Sequence, residues 1–163
     1  MKPIYILLIA LFFQTTIFAQ VYILNEDFVT SSGTNPPFEW SNYKITGTTN
    51  DLWHFDNPGD RVVNFPVTAP FAVFDADTVS GNGQAEKSGL ESPFFDASIS
   101  DFILLLFDQS FVSVNGAAAI VEAFNGTDWT EVKRFTSSTA NSISEVVDIS
   151  SVVGGITNAK IRF

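Results

Sequence analysis

Short apolar runs alternate with turn-forming residues along most of the chain, and this pattern predicts strands. The runs are rich in Phe, Val, Ile and Thr, and Gly, Pro, Asn, Asp and Ser separate them. After residue 20, no stretch shows the sustained i, i+3, i+4 apolar spacing of an amphipathic helix. The pattern therefore predicts an all-β domain, with strands at 21–28, 43–46, 52–55, 61–65, 71–74, 89–94, 102–114, 118–124, 130–135, 144–148 and 159–163.

Two local patterns indicate how these strands are arranged. Asn125-Gly126 separates two apolar runs, and this dipeptide is typical of a tight hairpin turn. Residues 102–107 are all apolar, so we expect both faces of that strand to be covered. A central strand of a two-sheet antiparallel β-sandwich would have this property.

The N-terminal residues have the pattern of a secretory signal peptide. Lys2 precedes an apolar run at 4–13, and small residues lead to Ala19. The run is too short to span a bilayer, and no later run approaches the roughly 20 apolar residues of a membrane helix. We therefore expect a signal peptide at 1–19 and a β-sandwich domain at 20–163, secreted or at the cell surface, with no membrane insertion after cleavage.

Composition excludes several classes of function. The formal net charge of −10 argues against nucleic acid as a partner and favours divalent cations. The chain has no cysteine, and its one histidine, His54, cannot form a His-ligated zinc site alone. No G-x-S-x-G elbow or phosphate-binding glycine loop is present. We therefore expect no enzyme activity, although the many acidic residues leave a carboxylate-based glycoside hydrolase open.

The acidic residues contain a candidate calcium site. Asp75 and Asp77 stand two positions apart at the end of a predicted strand, where their side chains point the same way. Glu26 and Asp27 end the first predicted strand. Calcium accepts several oxygen ligands in irregular geometry, so these four residues are candidate ligands. The alternative is two separate turns whose carboxylates are solvated.

The aromatic residues suggest a ligand platform. Trp40, Tyr43 and Trp53 are candidates for stacking against a sugar. The alternative is that they belong to the core, as aromatic residues of β-rich chains often do. Trp129 follows the hairpin turn and is better explained by structure.

The order of several short motifs gives a family resemblance. The motifs are Asn25-Glu26-Asp27-Phe28, Pro37-Phe38-Glu39-Trp40, Trp53-His54-Phe55, Phe71-Ala72-Val73-Phe74-Asp75-Ala76-Asp77, Leu90-Glu91-Ser92-Pro93, Leu106-Phe107-Asp108, Ala119-Ile120-Val121-Glu122 with Gly126 and Trp129, and Lys160-Ile161-Arg162-Phe163. Together they resemble the MAM-like jelly-roll modules, also called choice-of-anchor J or cleaved-adhesin-type domains, of secreted Bacteroidetes-type proteins.

The resemblance implies a jelly-roll β-sandwich that acts as a non-catalytic adhesion or carbohydrate-binding module. Its partner would be a glycan or a cell-surface protein, and its parent proteins often use type IX secretion. It also implies a structural calcium, with Glu26 at the position of the family's acidic ligand. The family pattern continues to a further strand beyond the Ile-Arg-Phe run, so we expect the domain to lack its last strand here. The alternative is an accessory domain of a secreted protease or glycoside hydrolase whose catalytic part lies outside this chain.

Overall fold

The computed structural model describes residues 21–47, 51–76 and 86–163. The signal peptide predicted at 1–19 and the predicted calcium ligand Asp77 lie outside these residues. The described elements are β1 (Ser41–Thr46), β2 (Lys87–Glu91), β3 (Leu104–Gln109), β4 (Ala119–Phe124), β5 (Trp129–Phe135), β6 (Ile143–Asp148), the short helix α1 (Ser150–Val153) and β7 (Lys160–Arg162). None of the helices among these residues is long and apolar enough to cross a membrane.

These strands form two antiparallel sheets, which confirms the predicted all-β, two-sheet sandwich. The larger sheet has the order β1-β2-β7-β4-β5, and the smaller one pairs β3 with β6. The last strand, β7, lies between β2 and β4, with Arg162 opposite Glu91 on one side and Glu122 on the other. A jelly-roll connection of the strands stays a prediction.

Alternation along the strands buries one side of each sheet. Ile161 of β7 and Ala123 of β4 belong to one buried cluster with Val147 of the smaller sheet. Leu90 of β2 belongs to a second cluster with Trp40 and Phe55. Partly buried Leu24 and Phe163 pack against both clusters, so the two are continuous.

The predicted hairpin is confirmed. β4 and β5 pair with Phe124 opposite Trp129. Asn125 Oδ1 accepts hydrogen bonds from the backbone N–H groups of Thr127 and Asp128, at 2.9 and 2.8 Å. Gly126 has a φ of 92°, which glycine adopts without strain.

Four predicted strands in the first half of the chain are not formed. Segments 21–28 and 61–65 have no strand pairing, and segments 52–55 and 71–74 meet only through the bridge between His54 and Val73. Val62 and Phe65 are more than 85% exposed, so segment 61–65 has no buried face. Apolar composition alone does not make a strand, because pairing needs a neighbouring strand.

The expectation that both faces of segment 102–107 are covered is wrong. β3 alternates between half-buried and exposed residues, and Leu104 and Leu106 are 41% and 52% exposed. Val146, opposite Leu106 on β6, is 58% exposed. The smaller sheet packs against the core on one side, which leaves an apolar surface on the other.

Candidate functional site

The side of the larger sheet that faces away from the core has a continuous group of polar and aromatic residues. Inward positions on these strands are held by residues such as Leu90, Ile161 and Ala123. The alternate positions turn away from the core. We use the term outer face for Tyr43, Glu91, Glu122, Trp129, Lys160 and Arg162, which belong to all five strands of this sheet.

Arg162 lies at the centre of the outer face. Its Nε donates a hydrogen bond to Glu122 Oε2 at 2.9 Å, and its Nη1 donates to the Tyr43 hydroxyl at 2.9 Å. The guanidinium carbon also lies 4.1 Å from the centre of the Trp129 ring. The side chain of Arg162 is only 13% exposed. One guanidinium therefore connects a carboxylate, a phenol and an indole ring.

Glu91 extends this network across the sheet. The Tyr43 hydroxyl donates to Glu91 Oε2 at 2.7 Å, and the Lys160 ammonium donates to Glu91 Oε1. The ammonium also lies 4.1 Å from the centre of the Phe94 ring. Each charged group of the outer face is thus paired with an opposite charge within the face.

Burial and these bonds fix the protonation of the network. Burial raises the pKa of Tyr43, and the hydrogen bond to Glu91 raises it further, while the bond from Arg162 opposes this shift. Burial acts to lower the pKa of Arg162, but its bonds to Tyr43 and Glu122 outweigh burial and raise it. At neutral pH the phenol is therefore neutral and donates to Glu91 while accepting from Arg162.

Gly89 provides the space in which Tyr43 and Arg162 meet. A Cβ at this position would lie 3.0 Å from Arg162 Cδ, 3.1 Å from Ile45 Cδ1 and 3.3 Å from Tyr43 Cζ. Sequence reasoning missed this residue, although a glycine inside a strand often marks a close approach. An alanine Cβ at position 89 would require these side chains to move by a few tenths of an ångström.

An open cleft adjoins the outer face. It has a volume of about 410 Å³ and is lined by Glu39, Pro93, Phe94 and Lys160. Phe94 is 61% exposed. Lys160 belongs to both the cleft and the outer face, so the two form one surface with Phe94 at its end.

The three predicted ligand-binding aromatics lie in different places. Tyr43 is in the outer face. Trp40 is 8% exposed and packs edge-on against Phe28 in the core, so the structure assigns it to the core and not to a ligand platform. Trp53 is half-buried against Phe74, and its Nε1 is buried without a hydrogen-bond partner in the described part of the chain. Trp129, for which the sequence predicted a structural role and not a ligand-binding one, is in the outer face.

The described members of the predicted calcium set are engaged by other groups. Glu26 Oε1 accepts from the backbone N–H of Phe28 at 2.7 Å, and Asp27 Oδ1 accepts from that of Val29 at 3.1 Å. Both oxygens of Asp75 accept hydrogen bonds from the Arg61 guanidinium. Arg61 therefore supplies a positive charge to Asp75 in this structure.

The metal question extends to the other described residues. Across segments 21–47, 51–76 and 86–163, no three His, Cys, Asp or Glu side chains converge in a way that could hold a metal ion. Calcium binding itself stays a prediction.

Comparison with known proteins adds no relative. No protein-family model matches the chain, and no curated protein or solved structure matches it significantly.

Proposed function

We propose that the chain is a non-catalytic binding module whose ligand is a glycan, bound at the outer face and its adjoining cleft. The observation that supports this is the Arg162 network, in which Tyr43 and Trp129 lie beside fixed hydrogen-bonding groups. Phe94 continues the aromatic surface into the cleft. Ligand sites commonly combine aromatic surface with a few well-placed polar groups. A sugar suits both features, because its apolar C–H face can stack on the aromatic rings and its hydroxyls can bond to the polar groups.

The charge pairing favours a neutral ligand with many hydroxyl groups. Glu91 pairs with Lys160, and Glu122 pairs with Arg162, so little uncompensated charge is left on the outer face. A strongly charged ligand would have to break one of these pairs. A neutral sugar could accept or donate hydrogen bonds at their edges without breaking them. The chain's net charge of −10 also disfavours nucleic acid.

We propose an exported jelly-roll module of the MAM-like, choice-of-anchor J type, secreted or held at the cell surface. In this setting a surface that binds neutral sugars would serve adhesion. We also propose that calcium stabilises the module, as the resemblance implies.

The test is a glycan array followed by calorimetric titration of any hit. Phe94→Ala should weaken binding about tenfold or more, since it removes an exposed ring from the cleft. Phe65→Ala is the matched control, because Phe65 is also highly exposed and lies outside the outer face and cleft. Thermal melts would show that both variants fold.

A second variant tests the network without removing a ring. Gly89→Ala should displace Tyr43 or Arg162 and weaken glycan binding while the chain remains folded. Binding of no glycan by the wild-type protein would contradict the proposal. So would equal losses in Phe94→Ala and Phe65→Ala. Selective binding of a surface protein through Leu104 and Leu106 would instead support protein adhesion.

A further inference from the structure

A second open cavity is formed by the irregular first half of the chain. It has a volume of about 390 Å³ and is lined by Phe55, Asp56, Asn57, Ala69, Pro70 and Phe71. We use the term loop cavity for this space, because its lining comes from two segments outside the named strands, 55–57 and 69–71. None of its lining residues belongs to the outer face or the adjoining cleft. Its volume lies within the usual range for a small-molecule site.

Hydrogen bonds hold both sides of the loop cavity in place. His54 exchanges two backbone hydrogen bonds with Val73, at 2.7 and 2.8 Å, which joins the two segments just outside the cavity. Asn57 Oδ1 accepts from the backbone N–H of Arg61 at 2.9 Å, and Asn57 Nδ2 donates to the Arg61 carbonyl at 3.0 Å. The walls are therefore fixed before a ligand arrives, which reduces the ordering cost of binding.

Asp56 gives the loop cavity a negative charge. Its side chain is 54% exposed, and its Oδ1 lies 3.2 Å from His54 Nδ1. None of the described lining residues is a Lys or Arg. Arg61, the nearest cation along the chain, directs its Nε and Nη2 to Asp75. The cavity therefore presents a carboxylate with no Lys or Arg in its lining to balance it.

Most of the remaining lining is apolar. Phe55 and Phe71 belong to it as aromatic residues, and Ala69 and Pro70 add exposed aliphatic surface. Aromatic rings attract cations to their faces, and apolar surface favours an aliphatic stem. A hard metal ion would instead need several oxygen ligands. One carboxylate beside aromatic and aliphatic surface therefore fits an organic cation.

We propose that the loop cavity binds an organic cation on an apolar stem, either a protonated amine or a guanidinium group, with Asp56 as its counter-ion. The stem lies against the apolar lining formed by Pro70 and Phe71. This chemistry occurs in free amines and in the Lys and Arg side chains of a partner protein. The site is additional to the proposed glycan surface and does not depend on it.

The first experiment titrates the full chain with N-acetyl-lysine methylamide by calorimetry. N-acetyl-norleucine methylamide is the matched probe, since it keeps an aliphatic stem and lacks the charge. The lysine probe should bind more tightly than the norleucine probe. Salt at about 0.5 M should weaken binding of the lysine probe, because exposed charges are screened.

A pair of variants tests the role of the carboxylate. Asp56→Asn should weaken binding of the lysine probe about fivefold, as expected for the loss of a partly exposed ion pair. Asp60→Asn is the matched control and should leave binding unchanged, because it removes the same charge from an exposed residue outside the cavity lining. Thermal melts establish that both variants fold. The comparison of the two probes needs no variant, so it tests the proposal even if Asp56→Asn does not fold.

The second experiment locates the bound probe by nuclear magnetic resonance. The lysine probe should shift the backbone amide signals of Phe55, Asn57 and Phe71, and it should leave those of Tyr43 and Arg162 unchanged. Titration with n-butylamine identifies the source of the cation. Equal affinity for n-butylamine and the lysine probe supports a free amine as the ligand, and clearly tighter binding of the lysine probe supports a Lys side chain of a partner protein.

Several results would overturn the proposal. These are equal binding of the lysine and norleucine probes, binding of neither probe, an unchanged affinity in folded Asp56→Asn, and amide shifts confined to the outer face. Glycan binding is measured with different ligands and different variants. Failure of the glycan proposal therefore leaves the loop cavity untouched, and failure at the loop cavity leaves the glycan proposal untouched.

Discussion

Arg61 and Asp75 form a two-point ion pair. Arg61 Nε donates to Asp75 Oδ2 at 2.6 Å, and Nη2 donates to Oδ1 at 2.7 Å. The Asp75 side chain is 5% exposed, whereas that of Arg61 is 44% exposed. Sequence spacing suggested that Asp75 binds an external cation. The structure instead places the protein's own guanidinium on both of its oxygens.

Replacing Asp75 by asparagine should destabilise the fold. Asp75→Asn keeps the shape but removes the charge and places an amide N–H₂ against a guanidinium donor. We expect a loss of about 1–3 kcal/mol in the free energy of unfolding, the usual range for a buried hydrogen-bonding group deprived of its charged partner. Urea denaturation measures this loss.

The exposed pair between Arg134 and Glu131 is the control for this variant. Glu131→Gln should change stability little, because exposed ion pairs contribute little to folding. Equal effects of Asp75→Asn and Glu131→Gln would contradict the importance of burial for the Arg61 pair.

The Asn42 side chain should contribute strongly to the stability of the first half of the domain. Its amide donates to the carbonyl oxygens of Thr34 and Trp53 and accepts from Trp53 N–H. Asn42→Ala leaves these part-buried backbone groups without partners, so we expect a loss on the order of 3 kcal/mol. Asn42→Asp keeps the acceptor and loses both donated bonds. A loss for Asn42→Asp close to that for Asn42→Ala would show that the donated bonds dominate.

Tyr43 should make folding stability depend on alkaline pH. Its pKa is raised in the folded protein, mainly by burial and then by Glu91. A group with a raised folded pKa contributes stability below its unfolded pKa of about 10, and this stability is lost as the pH rises through the folded value. The free energy of unfolding should therefore fall less steeply above about pH 10 in Tyr43→Phe than in the wild-type protein.

Tyr22→Phe provides the comparison, because Tyr22 is 68% exposed. That variant should keep the alkaline loss of stability. Ultraviolet titration of the phenols should also show that Tyr43→Phe removes the phenol that ionises at higher pH. A wild-type titration in which no phenol ionises at a raised pH would contradict this prediction.

The two sides of the smaller sheet should respond differently to truncation. Val147 on β6 is 6% exposed, so Val147→Ala should cost roughly 2 kcal/mol through lost burial and a residual cavity. Leu106→Ala removes more atoms from a residue that is 52% exposed, and it should cost less. Chemical denaturation of both variants measures the difference. A larger loss for Leu106→Ala would show that its side of the sheet is covered in solution.

The sequence predicted the later strands better than the earlier ones. The runs at 118–124, 130–135 and 144–148 correspond closely to β4, β5 and β6, since each pairs with a neighbouring strand along most of its length. Segment 21–28 was also predicted as a strand and is irregular. There the side chains of Glu26 and Asp27 bind nearby backbone N–H groups, and such local bonds compete with strand pairing.

The candidate site was only partly predictable. Tyr43 was identified as a ligand candidate, but Trp40 is in the core and Trp129 is in the outer face. Aromatic residues suit both a core and a binding surface, so composition does not separate the two roles. Glu91 and Arg162 lie in motifs of the family resemblance but were not predicted as site residues, because their importance depends on partners from other strands.

The sequence by itself determined the all-β class, the Asn125-Gly126 hairpin and the acidic charge of this protein. These properties depend on residue type and short-range periodicity, which are local. The tertiary structure alone decided that Arg61 neutralises Asp75, that Arg162 joins Tyr43 to Glu122, and that Asp51 is buried with no hydrogen-bond partner among the described residues. Each of these depends on segments far apart in the chain, and on which groups are removed from water when the sheets pack together.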